Sequence, residues 1–304
     1  MSTIVIGVDS TARSEDAVAL GRQLAQASSA VVVVASVVSL DTAPDGPSRQ
    51  NAHLTVRRMS GLLTGIESAR IRTGVVAART PAQGLIDLAN AEAATLLVVG
   101  STHTGRLGRV RPGSTGERLL HGAPCAVAVA PRGYRLSRGH RIARVGVAYN
   151  GSPESRAALT TAITAARALG ATLRVIAVIP QDLAGAAGLI SGPSYAAVRA
   201  DVEADIRRDV EQLVAGLPAD VSPAGVVLEG QPSRMLADET LSLDLLFIGS
   251  RGYGPMRAVI AGATSGAVLR QAHCPVIVLP RTAEASLDAI FGDPADAVRT
   301  DPAR

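Results

Sequence analysis

No lysine occurs anywhere in the 304 residues, so all 30 of the Lys-plus-Arg cations are arginines. That absence excludes a P-loop lysine, a Schiff-base lysine and the lysine that receiver domains keep beside their phosphoacceptor. Aromatic rings are nearly missing as well: two Phe, four Tyr and no Trp. Bases have almost nothing to stack on, so nucleic acid is not an expected partner. The net charge of +4 points to solubility and weak anion attraction rather than to a DNA-binding surface. There are only two cysteines, Cys125 and Cys274, and each opens the same phrase, "CAVAVAP" and "CPVIVLP". Two thiols at equivalent strand starts read as small buried hydrophobes rather than as a disulfide. With no CxxC or HExxH, no metal site is expected. No apolar run approaches the roughly 20 residues of a membrane-spanning helix. The N-terminus carries neither a basic segment nor a cleavage pattern. The expectation is a cytoplasmic protein with no membrane partner.

What the chain does contain is a repeat. Gly100–Pro131 aligns with Gly249–Pro280 without a gap, at 12 identities in 32 positions. The halves also begin alike, "IVIGVDSTARSEDAV" from Ile4 against "VGVAYNGSPESRAAL" from Val145, which sets Asn150 opposite Asp9. The second copy is eight residues longer in its middle, where "DLAGAAGLISGPSYA" reads as a loop. Within each copy, β-branched runs alternate with Ala-rich amphipathic stretches. Five strands per copy, fully apolar and separated by helices, predict an α/β fold: a parallel sheet covered by helices on both faces. The long stretch 49–68 reads as one helix. This divides the chain into domain 1 at 1–134, a basic linker at 135–141, domain 2 at 142–282, and a tail at 283–304 read as a short helix followed by disorder.

Both copies place glycines and hydroxyls directly after the fourth strand. In open parallel sheets, ligands collect beyond the carboxyl ends of the strands. If strands one and four are neighbours, the loop carrying Asp9 or Asn150 and the glycine loop flank one crevice. A glycine turn entering a helix offers unpaired N–H groups and a positive dipole end, which suits phosphate. Gly249 and Gly252 would allow close backbone approach or positive φ, and Gly262 would open the helix start. Asp9 could accept from an exocyclic amine or a ribose hydroxyl. The plainer reading stands beside this one: the glycines only close tight turns, and Ser114 and Thr264 only cap helices.

The spacing Gly249-x2-Gly252-x9-Gly262, with a strand-one Asp or Asn before "GSPES", resembles the nucleotide-binding signature of the universal stress protein family. Over residues 3 to 280 the chain resembles its tandem two-domain members. The resemblance implies two doubly wound five-stranded parallel sheets ordered 3-2-1-4-5 and ATP or another adenine nucleotide in the crevice, with or without magnesium. It also implies pairing of the repeats through edge strands. Val37 and Val178 match positions where the family's backbone meets adenine. The copies depart from the pattern in complementary ways. The first keeps Asp9, Gly100, Gly113, Ser114 and Thr115 but has His103 where a glycine belongs. The second keeps Gly249, Gly252 and Gly262 but has Asn150 for the acid and Ala263 for the hydroxyl, with Thr264 and Ser265 as nearby donors. Arg106, Arg109, Arg251 and Arg257 could supply phosphate charge.

With a phosphate cradle and no catalytic set, the leading reading is a nucleotide-binding stress-response or regulatory protein acting through conformation or assembly. The alternatives are a slow ATPase using Asp9 or His103 as base, and a scaffold with degenerate sites. The apolar closing strands could pair the repeats with each other inside the chain, or pair two chains into a homodimer.

Overall fold

The computed structural model describes residues 2–102, 107–136, 141–181, 193–250, 263–280 and 288–292. The first repeat runs β1 (Thr3–Gly7), α1 (Ala12–Gln26), β2 (Val31–Ser39), α2 (Pro47–Ser60), β3 (Ile71–Ala78), α3 (Pro81–Ala91), β4 (Leu96–Gly100), α4 (Ser114–Gly122) and β5 (Ala126–Ala130). The second follows as β6 (Arg144–Ala148), α5 (Pro153–Leu169), β7 (Thr172–Ile179), α6 (Pro193–Ala215), β8 (Ala224–Glu229), α7 (Pro232–Glu239), β9 (Leu245–Gly249), α8 (Ala263–Leu269) and β10 (Val276–Leu279). A short helix, α9 (Asp288–Phe291), comes last. The ten strands form one sheet in the order β3-β2-β1-β4-β5-β10-β9-β6-β7-β8. Each half is a parallel sheet in the order expected. The halves join where β5 and β10 run antiparallel, with Val129 opposite Val276 and Val127 opposite Val278.

That junction decides a point that the sequence left open. The closing strands satisfy each other within the chain, so neither remains an edge for a homodimer. Strands β3 and β8 are the outer edges, and any edge-to-edge dimer would have to use those. The choice is physically sensible, because unpaired apolar edges are aggregation templates and internal pairing removes both at once.

Side-chain alternation along each strand feeds two cores. Ile4 and Ile6 face the layer formed with Leu20, Leu24 and Met59. Val5, between them, faces the opposite layer with Leu85, Leu97 and Leu119. Each layer continues across the β5–β10 junction into the second repeat, where Phe247 joins the first and Leu246 the second. Such burial contributes about 1.5–3 kcal/mol per large side chain.

Two local features differ from the sequence-level expectation. Helix α2 stops at Ser60 instead of running on, because Gly61 follows and Gly65 takes φ +79°, a left-handed turn. Arg135 and Arg141, which composition reads as solvated linker residues, are pinned. Arg135 donates through its backbone N–H and Nη1 to Asp16 Oδ1 at 3.0 and 3.1 Å, and Arg141 Nη2 donates to the Leu169 carbonyl at 2.7 Å. In the tail, α9 buries Ile290 and Phe291 in the first core layer.

Candidate functional site

The carboxyl ends of β1 and β4 are adjacent, since Ile6 pairs with Val98. Between them lies a cavity of about 110 Å³, whose walls include Asp9, Arg13, Val37, Leu85, Gly113 and Thr115. Asp9 sits in the loop from β1 to α1. The Thr11 amide donates to its Oδ1 at 2.9 Å and the Ser14 hydroxyl donates to the same oxygen at 2.8 Å. Arg13, in the first turn of α1, donates to Oδ2 from Nε at 2.8 Å and also from Nη2. Burial alone would raise this carboxyl. The Arg13 guanidinium, the Thr11 hydroxyl and amide and the Ser14 hydroxyl outweigh that penalty and hold it at about 2. A carboxylate so acidic and so fully occupied is a poor general base, which weakens the ATPase alternative.

This arrangement has a consequence for acid stability. The folded carboxyl titrates below its ordinary value of 3.8, so its contribution is complete above about pH 4 and is lost as pH falls toward about 2. Asp9→Asn should therefore lower stability above about pH 4 and flatten the acid limb, so that variant and parent converge as pH falls toward about 2. Denaturant titrations at stepped pH test this, and an unchanged acid limb would exclude the assigned pairing.

The two kinds of glycine in the crevice do different work. A Cβ on Gly100 would lie 2.2 Å from the Arg13 carbonyl oxygen, and one on Gly249 would lie 2.8 Å from the Glu154 carbonyl oxygen. Neither has positive φ. Their smallness lets the end of the fourth strand pack against the first turn of α1 or α5, which gives Gly249 a packing role beside the ligand-approach role read from the sequence. Gly113 differs. It is the N-cap of α4 with φ −78° and ψ −180°, and a Cβ there would meet nothing closer than Thr102 Cβ at 3.8 Å. No side chain caps α4, so its first-turn amides have no intrahelical acceptor and face the crevice end of the loop. Ser114 is the first helical residue and is exposed, not the cap, while Thr115 lines the cavity.

Ser101 organises the base of this loop. Its hydroxyl donates to the Ala130 carbonyl at 2.7 Å and accepts from the Arg111 amide at 3.1 Å, while Thr102 N–H donates to the Arg111 carbonyl at 2.8 Å. Sequence reasoning missed Ser101, although its identity with Ser250 in the second copy was a signal. It also missed Arg13, for which the repeat gave none, because the aligned residue is Glu154.

In the second repeat, Asn150 Oδ1 accepts from the Ser152 amide at 3.2 Å, and Ser152 caps α5. Val178, near the end of β7, packs against the second core layer. Thr264 and Ser265 lie in the first turn of α8, which Ala263 begins, and Ser265 is buried. His103, Arg106, Arg251, Gly252, Arg257 and Gly262 lie outside the described residues. Among the described residues, no cluster of three His, Cys, Asp or Glu could hold a metal ion. Both cysteines are unpaired and buried, and burial pushes the Cys125 thiol up to about 12 and the Cys274 thiol up as well. Among the described residues, no helix is long and apolar enough to cross a membrane.

Comparison with known proteins gives a consistent result. The profile of the Universal stress protein family matches residues 1–131 and 142–280. A universal stress protein of Mycobacterium tuberculosis is 30% identical over 204 residues, covering 66% of this chain and 70% of that protein. Another from the same organism is 28% identical over 289 residues, covering 90% and 96%. The crystal structure of a universal stress protein from Archaeoglobus fulgidus superposes with a TM-score of 0.65 at 21% identity, over 92% of this chain and 98% of that one. At that identity it supports the fold alone.

Proposed function

The chain belongs to the universal stress protein family, and we propose that within it the first repeat binds an adenine nucleotide and uses that binding to shift conformation or assembly, without a committed catalytic step. One observation carries the reading: an uncapped helix N-terminus, entered through a glycine with open space beside it, stands across a crevice from a carboxylate and a cation. The amides of α4 suit phosphate, Asp9 suits a ribose hydroxyl or exocyclic amine, and Val37 supplies an apolar wall for the base. The cavity of about 110 Å³ is smaller than the several hundred Å³ typical of nucleotide-sized pockets. Binding therefore involves parting Arg13 from Asp9, after which the guanidinium can turn to phosphate. Magnesium, if carried, would arrive with the phosphates.

The second repeat replaces both charged members of this pair, Asn150 for Asp9 and Glu154 for Arg13. An acid in place of a cation disfavours phosphate, so we rank the first site as the tighter. A cytoplasmic setting goes with this reading, and the unpaired thiols suit it. Calorimetry with ATP, ADP and AMP tests the proposal: one dominant binding event that Arg13→Ala weakens supports it. The absence of binding, together with no nucleotide released from freshly purified protein on denaturation, would overturn it.

A further inference from the structure

A roomier cavity than the crevice is present among the described residues. It lies at the seam between the repeats, holds about 360 Å³, and is walled from one side by Leu107, Pro131 and Leu136 and from the other by Leu243, His273 and Pro275. We propose that this seam is a second ligand site, for a small amphipathic anion with an apolar body.

The walls are built by cross-repeat stapling. Val110, fully buried, donates its N–H to the Ala272 carbonyl at 2.7 Å, and Arg109 Nη1 donates to the Gln271 carbonyl at 3.0 Å. On the first-repeat side, the Gly108 amide donates to the Arg132 carbonyl at 2.9 Å and the Arg132 amide to the Arg109 carbonyl at 3.0 Å. Two glycines of the lining, Gly108 and Gly133, hold left-handed φ of +74° and +84°. At Gly133 a Cβ would strike Leu107 Cδ1 at 2.6 Å. This is a preorganised concavity, and its volume falls within the range of about 300–1,000 Å³ typical of small-molecule sites.

The chemistry of the lining selects the ligand. Leu107 and Leu136 remain 66% and 61% exposed, an apolar surface that a hydrocarbon or aromatic body would cover. The nearby charges sum to positive. Asp244 is matched by Arg144, whose Nη2 donates to it at 3.0 Å, and two backbone amides fill its remaining lone pairs. Asp238, which faces His273, is paired with Arg234 at 3.8 Å. Arg109, also facing His273, donates to a neutral carbonyl, so its charge is not cancelled there. The His273 imidazole makes no hydrogen bond among the described residues and can bind a headgroup oxygen. A carboxylate or sulfonate carrying an apolar body fits both parts.

Titration with anilinonaphthalene sulfonate, read by fluorescence, tests this on the full chain. The expected result is saturable binding of one probe per chain, displaced by octanoate and untouched by saturating ATP. Leu136→Asp should weaken the probe about tenfold, the equivalent of roughly 1.4 kcal/mol, with Tm unchanged because the position is exposed. Leu54→Asp, at an apolar side chain on α2 that is 64% exposed, should have no effect. Unsaturable binding, displacement by ATP, or equal loss in both variants would overturn the proposal. So would uptake of the protein by phosphatidylglycerol vesicles while octanoate fails to displace the probe, since the apolar face would then serve a lipid surface.

Discussion

Gly113→Asp is expected to weaken adenine-nucleotide binding at the first crevice about a hundredfold or more while the protein stays folded, because it places a fixed carboxylate where phosphate oxygens are to sit. Stability should be unchanged or higher by a few tenths of a kcal/mol, since aspartate is at least as good an N-cap as glycine. The backbone there is extended and the space is open, with 3.8 Å to the nearest atom, so nothing has to move. The new side chain would accept from the first-turn amides of α4 and occupy the anion position itself. Calorimetry and thermal melts on the same preparation separate the two effects. Unaltered ATP affinity would show that the phosphates do not lie on α4.

Gly100→Ala should do the opposite and strike the fold. Its methyl would be forced within 2.2 Å of the Arg13 carbonyl oxygen, with the carbonyl carbon at 2.9 Å. These are main-chain atoms of the first turn of α1, and they can yield only if the helix shifts away from β4. The cost should reach or exceed the upper end of the roughly 1–3 kcal/mol that overpacking usually takes. Measured by urea denaturation, this loss would appear with or without ligand. A variant as stable as the parent would mean that α1 has freedom the packing does not suggest. The aligned Gly249, with 2.8 Å to the Glu154 carbonyl oxygen, should be costly too, but less so.

The contrast between these glycines shows where reading the sequence stopped. Both stand in one motif, and spacing alone treats them as one phosphate cradle. In the fold, Gly100 must be small because a helix turn passes over it, whereas the space beside Gly113 is open. That difference depends on where α1 lies relative to β4, a contact between residues some 90 positions apart in the chain. Arg13 was hidden for a related reason: its importance comes from a single turn of helix that brings it onto Asp9, and the second repeat carries glutamate there. The end of α2 was misjudged because an amphipathic pattern continues past Gly61 while the backbone does not.

The sequence by itself determined the repeat, the ten strands with both faces covered, the placement of the glycine loops at strand ends, and the membership of a family. These follow from local signals, namely β-branched runs, helical periodicity and turn residues, each decided within a few residues of itself. The tertiary structure alone decided that β5 and β10 pair inside the chain rather than between chains. An apolar edge strand specifies that it must be covered but not by which copy, and only the assembled sheet, with Val129 opposite Val276 and Val127 opposite Val278, shows the two edges covering each other. The same closure creates the seam cavity, since neither repeat contains it on its own.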